Sequence, residues 1–150
     1  MSLSTAPIRG PFDRDAVLRF LDASVIPVRL ACVARSGWPL VVSLWFARED
    51  DELVCATQRS SSLVRALEES PRCAFEVAGE QPPYRGVRGR AHVRIEPDDD
   101  LATLTALVLR YQGSTDGALA RRLLGRTTPE VRLCLDPAEL TSWDYTRRMS

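Results

Sequence analysis

The sequence predicts a mainly β, α+β fold: a small antiparallel barrel with short helices packed at its mouth or edge. Three observations predict it. About seven short apolar, β-branched runs fill the chain between residue 28 and the end, with tight polar connections. The early runs lie too close together for a βαβ crossover, which takes a dozen or more residues. Two helical patterns interrupt the strands just before the last pair, a layout that suits an antiparallel barrel with added helices.

The elements follow in order. Residues 1–11 hold two prolines, a glycine and small polar residues, and read as an irregular leader. From Asp13 a short amphipathic helix places Val17, Phe20, Leu21 and Ser24 on one face, and Pro27 bars its extension. Residues 28–34 (VRLACVA) and 40–47 (LVVSLWFA) read as strands around the turn signal Ser36-Gly37. The charged turn at 48–51 leads to a strand at 53–57, and the three strands suggest a meander. The polar run 58–62 (QRSSS) opens a helix carrying Leu63, Val64 and Leu67, which Pro71 closes. Residues 72–78 alternate as a strand, and 79–84 (GEQPPY) form a loop. In the strand from 85 to 95, Val87, Ala91, Val93 and Ile95 lie on one face and Arg88, Arg90, His92 and Arg94 on the other.

Asp98–Asp100 supply a cap and favourable charge for a helix whose face is Leu101, Leu104, Leu107, Val108 and Tyr111. A second helix at 116–124 ends at Gly125, so 98–125 reads as a helical insert. Two strands, 131–135 and 140–145, finish the chain around a turn at Asp136-Pro137. The 150 residues read as one domain without repeats.

Composition excludes several function classes. Twenty basic residues balance twenty acidic ones, which argues against a nucleic-acid binder or a membrane-surface binder. All twenty basic residues are arginine, so lysine Schiff-base chemistry is excluded. One histidine excludes any site built from two or three. No apolar run has the length of a signal peptide or a membrane span, so a soluble, cytoplasmic protein is expected. Cys32, Cys55, Cys73 and Cys134 sit in apolar runs without CxxC or metal-ligand spacing and read as reduced, buried and structural. No nucleophile constellation, general acid or general base stands out.

Taken in order, a set of segments carries a resemblance. They are 29–32 (RLAC), 36–39 (SGWP), 42–46 (VSLWF), 56–57 (AT), the helix start at Ser61, 71–75 (PRCAF), 82–89 (PPYRGVRG) and 142–145 (SWDY). In that order the chain resembles the pyridoxamine 5′-phosphate oxidase-like family, the flavin-binding antiparallel split β-barrels with short flanking helices. The resemblance implies a homodimer with flavin sites in clefts at its interface. It implies FMN, or in some branches the 8-hydroxy-5-deazaflavin coenzyme, with haem in a few relatives.

The resemblance also implies site residues. The phosphate would be held by Thr57, Arg59, Ser61, Ser62 and Arg65, hydroxyls and guanidinium groups running from a strand end into a helix, with Gln58 among the cofactor-binding residues of the same stretch. The ring would be held by Val42, Ser43, Leu44 and Trp45, by Gln81, Tyr84 and Arg85 in the proline-stiffened loop, and by Trp143. Two positions depart from the family pattern: Leu63 stands where a basic residue is common, and Val42 where the oxidases often carry arginine. The expected function is a flavin-dependent oxidoreductase acting on a small-molecule substrate. The alternative is a binding or sensing module that keeps the barrel, takes another phosphorylated ligand, or carries haem through His92. The arginine stripe around His92 reads as a solvated face or as the wall of an anion cleft.

Overall fold

In the computed structural model, which describes residues 1–150, two hairpins begin the sheet. β2 (Val28–Val33) and β3 (Pro39–Leu44) pair from Val28↔Leu44 to Val33↔Pro39. Gly37 turns the chain between them at φ +85°, a conformation glycine adopts without steric cost. β4 (Phe46–Glu49) and β5 (Glu52–Gln58) form the second hairpin. The run expected as one strand at 40–47 is therefore two, broken at Trp45. The expected three-stranded meander does not form either, because β3 pairs with β2 and β4 with β5 at opposite ends of the sheet.

The strand order is β3-β2-β6-β7-β8-β5-β4, with β6 spanning Arg72–Ala78, β7 Arg85–Pro97 and β8 Glu130–Asp144. One residue, Trp45, joins the first strand of that path to the last. The twisted sheet must curl until its two edges meet there. No ladder joins β3 to β4, so the barrel is split along a seam that Trp45 bridges. The fold is the mainly antiparallel split barrel the sequence implied.

β8 is one long strand where two were expected. Asp136-Pro137 is not a turn: the register passes from Ala91↔Pro137 to Arg90↔Glu139, leaving Ala138 as a bulge. A bulge tolerates the missing proline N–H that a regular ladder position would not. The leader also departs from expectation. Leu3 and Ala6 are fully buried, and β1 (Ile8–Arg9) pairs in parallel with Leu140 and Thr141 of β8. Arg14 holds this segment by donating from Nη2 to the Ala6 carbonyl at 2.8 Å.

The helices start where their caps allow. In α1 (Arg14–Ala23) Asp13 accepts from the Ala16 N–H at 2.8 Å, and Val17 and Leu21 enter the core. In α2 (Ser62–Glu69) the Ser61 hydroxyl accepts from the Val64 N–H at 3.2 Å, and Leu63, Val64, Ala66 and Leu67 are buried. In α3 (Ala102–Gln112) the buried Asp98 carboxylate accepts from the N–H groups of Thr103 and Leu104 at 3.0 and 2.9 Å. α4 (Ala118–Leu124) packs on α3. The barrel core is one cluster running from Leu3 to Leu140, while α3 and α4 build a smaller one around Leu104, Val108 and Ala120, with Trp45 against it.

The insert is fastened to the seam by polar contacts. Arg110 Nη2 donates to the carbonyls of Leu21, Asp22 and Ser24 at 3.1, 3.0 and 2.8 Å, and its guanidinium lies 5.6 Å over the Phe46 ring. These are carbonyls at the end of α1, where the helix dipole favours a cation. Arg110→Ala is expected to lower stability by about 2 kcal/mol, read as a lower urea midpoint with an unchanged slope.

Asp22 accepts from Arg48 Nε and Nη2 at 2.8 and 2.7 Å, tying α1 to β4. These hydrogen bonds hold the Asp22 carboxyl below its ordinary value. A depressed carboxylate contributes stability above its unfolded pKa, about 3.9, and loses it as the pH falls through the folded value. Asp22→Asn is expected to give a shallower loss of thermal stability below about pH 4, measured as melting temperature against pH.

The four cysteines are buried and free, and burial pushes the Cys73 thiol up to about 12. Thiols so shifted stay protonated near neutrality, in keeping with packing roles. No helix is long and apolar enough to cross a membrane.

Candidate functional site

The seam opens into a cavity of about 370 Å³, within the usual size of small-molecule sites, roughly 300–1,000 Å³. β3 and the seam supply Ser43, Leu44 and Trp45, and the end of β5 with the cap of α2 supplies Thr57, Gln58 and Ser61. The structure thus brings together six of the residues singled out from the sequence. The opposite wall comes from the insert, through Leu104, Leu107, Leu119 and Leu123. The insert closes the cleft, a role that strand and helix periodicity alone did not assign.

The cleft has a flat apolar part and a polar part. Trp45 stacks on Tyr111 of α3 with ring centroids 5.0 Å apart and planes 9° from parallel. The Tyr111 hydroxyl donates to the Ile26 carbonyl at 2.8 Å and accepts from the Phe46 N–H at 3.2 Å, so the plane of the indole is fixed from both sides of the seam. At the polar part Gln58 lies opposite Glu130 in the β5–β8 ladder and donates from Nε2 to Thr128 at 3.1 Å. Both charged lining residues, Arg126 and Glu130, were missed in the sequence. Glu130 is 4% exposed, and burial pushes its carboxyl above the ordinary value while Arg126 pulls it back. The signal was faint: a single acid before the apolar run 131–135, four residues after an arginine.

The other candidates fall elsewhere. Val42 faces the barrel core. Arg59 pairs with Glu68 at 2.5 Å in a neighbouring groove that also holds Glu96 and Asp99. Ser62 is exposed at the first turn of α2, and Arg65 reaches the Ser60 carbonyl at 3.4 Å from an exposed position. Gln81, Tyr84 and Arg85 are exposed. Trp143 lies over Gly86, whose added Cβ would come 2.3 Å from the ring, with the Arg88 guanidinium 5.5 Å from its centroid. Trp143 and Glu130 sit near opposite ends of β8, up to roughly 40 Å apart along the strand.

The arginine stripe is exposed as its alternation predicts, but it is largely neutralised. Arg90 pairs with Glu139 at 3.3 Å, and Arg94 with Glu52 at 2.5 Å. His92 is exposed on the outer face of β7, in a shallow cavity with Val33 and Arg72 and apart from the seam.

Residues 13–142 match the model of the family described as pyridoxamine 5′-phosphate oxidase. The chain belongs to that family. A conserved hypothetical protein from Mycobacterium tuberculosis is similar at 21% identity, covering 93% of this chain and 89% of its own, with a TM-score of 0.74. An F420 reductase is similar at 25% identity over 81% of this chain and 94% of its own, TM-score 0.68. The haem storage protein from Vibrio cholerae shares the fold at 16% identity, over 82% of this chain and 89% of its own, TM-score 0.61. No curated protein matches the chain. Against the pyridoxamine 5′-phosphate oxidase pattern, the missing cation at position 63 now has a physical context. Leu63 is 2% exposed and lies in the barrel core.

Proposed function

We propose that the chain is a flavin-dependent oxidoreductase that binds FMN in the seam cleft, works as a homodimer and acts on a small-molecule substrate. One observation carries the reading: the cleft sets a fixed aromatic plane, Trp45, in one cavity with the hydroxyl and amide donors of Thr57, Gln58 and Ser61. A planar ring system with a phosphate tail matches that combination. When bound, the flavin supplies the hydride chemistry. The chain's own part is to bind and orient. Leu44 and the insert leucines exclude water from the apolar wall, and Thr57 donates from its hydroxyl to an oxygen at the polar part. Thr57→Val keeps the shape and removes the donor, and is expected to weaken FMN binding about tenfold, measured by flavin fluorescence titration.

The homodimer draws support from the outer face of β2, β3, β6 and β7. Val33 and Val41 are 60% and 62% exposed there, beside shallow cavities lined by Ala31, Ala74 and Phe75. A second copy on this face would cover them and could bring its Tyr84 loop toward the seam cleft of the first. Val41→Arg is expected to shift the protein to monomer in sedimentation analysis and to weaken flavin binding with it.

The 8-hydroxy-5-deazaflavin coenzyme is the second reading, favoured by the likeness to the F420 reductase. Parallel titrations with the two coenzymes separate the readings. Binding of neither returns the chain to the non-catalytic module.

A further inference from the structure

We propose that Arg126, tethered by Glu130, is the residue that holds the ligand's anionic group in the seam cleft, in place of the helix-borne cation that Leu63 lacks. The inference rests on the flavin reading for the identity of the ligand. The other cations are accounted for. Arg59 is committed to Glu68, Arg65 is turned to the Ser60 carbonyl, and Leu63 is in the core. Arg126 is the one arginine that lines the cleft, beside Thr57, Gln58 and Ser61.

The second observation is Glu130. Its side chain is 2% exposed, and its Oε1 has no hydrogen-bond partner. Arg126 Nη1 stands 3.6 Å away, close enough for ion pairing but too far for a hydrogen bond. A buried carboxylate oxygen left without a hydrogen bond is costly. It holds the guanidinium by charge, yet leaves the Arg126 donors free for another acceptor. A guanidinium presents several N–H donors in a planar fork, so one guanidinium can face the carboxylate and a phosphate together. Binding at Arg126 would thus make up for the lost cation from the other wall of the same cleft, carried by the segment after α4.

FMN and riboflavin share the ring and differ in the phosphate, so their affinity ratio reads the anion contact. The wild-type protein is expected to prefer FMN by about ten- to a hundred-fold, the worth of one charge-assisted contact. Arg126→Ala is expected to erase the preference while riboflavin affinity stays the same. Arg126→Lys is expected to restore part of it, and Arg122→Ala, on the exposed side of α4, to leave it intact. Glu130→Gln removes the charge that tethers Arg126 and is expected to lower the FMN preference in part while riboflavin affinity stays the same. Circular dichroism checks that each variant folds. A preference that survives Arg126→Ala, or one that Arg65→Ala removes, overturns the proposal.

If no flavin binds, pyrophosphate decides, followed by the protein's tryptophan fluorescence. A response that Arg126→Ala abolishes keeps the anion site while the flavin reading falls. No response, or one indifferent to Arg126, overturns the anion site as well.

Discussion

Leu63→Lys is expected to destabilise the protein by about 3 kcal/mol or more and to leave flavin affinity no better. The family pattern invites this substitution, because a basic residue there would reach the phosphate. The packing forbids it here. Leu63 shares its helix face with Val64, Ala66 and Leu67, all buried against the barrel. The change removes a leucine worth roughly 1.5–3 kcal/mol of burial and asks an ammonium either to desolvate or to bend its stem back to water. At roughly 2–4 °C per kcal/mol for a domain of this size, the melting temperature should fall by about 10 °C. An unchanged melting temperature together with tighter FMN binding would show that α2 presents position 63 to the cleft.

Gly89→Val is expected to cost about 3 kcal/mol, and for a different reason. Gly89 pairs with Phe75 on β6 and Leu140 on β8, so all three point to the core. The Phe75 ring fills the space a side chain at 89 would need. A Cβ there would come 2.8 Å from the ring and 2.5 Å from the Glu139 carbonyl. The ring could turn aside only by opening a core cavity. The carbonyl belongs to the strand next to the Ala138 bulge and could move only with the β7–β8 ladder. Urea denaturation would show the loss as a lower midpoint. Phe75→Ala should relieve part of the Gly89→Val strain, so the double variant should be less destabilised than the sum of the two. Strict additivity would mean that the two positions do not share that space.

What the sequence made legible follows from period and from capping. The β6 strand, the inward face of β7 and the Asp13, Ser61 and Asp98 starts all depend on local pattern, and local pattern survives into the fold. Three elements were hidden because tertiary closure decides them. Trp45 sits inside a largely apolar run with no turn residue, and nothing local says that the two halves go to opposite sheet edges. Pro137 reads as a turn unless the facing strand is known to be long enough to run past a bulge. Leu3 and Ala6 are too isolated to show a period, yet both are fully buried.

The site was half legible for the same reason. Ser43, Leu44, Trp45, Thr57, Gln58 and Ser61 meet because the seam closes on itself. Arg126 and Glu130 joined them from the far side of the insert, a long-range placement that spacing could not show. Arg59 lies outside the cleft because Glu68, in the last turn of α2, pairs with it.

Whether the seam cleft takes a flavin is decided by a visible-absorbance titration of the purified protein with FMN and with the 8-hydroxy-5-deazaflavin coenzyme. Saturable binding of one of them is expected, accompanied by quenching of tryptophan fluorescence that Trp45→Phe diminishes and weakened by Thr57→Val. Failure of both coenzymes to bind would contradict the flavin reading.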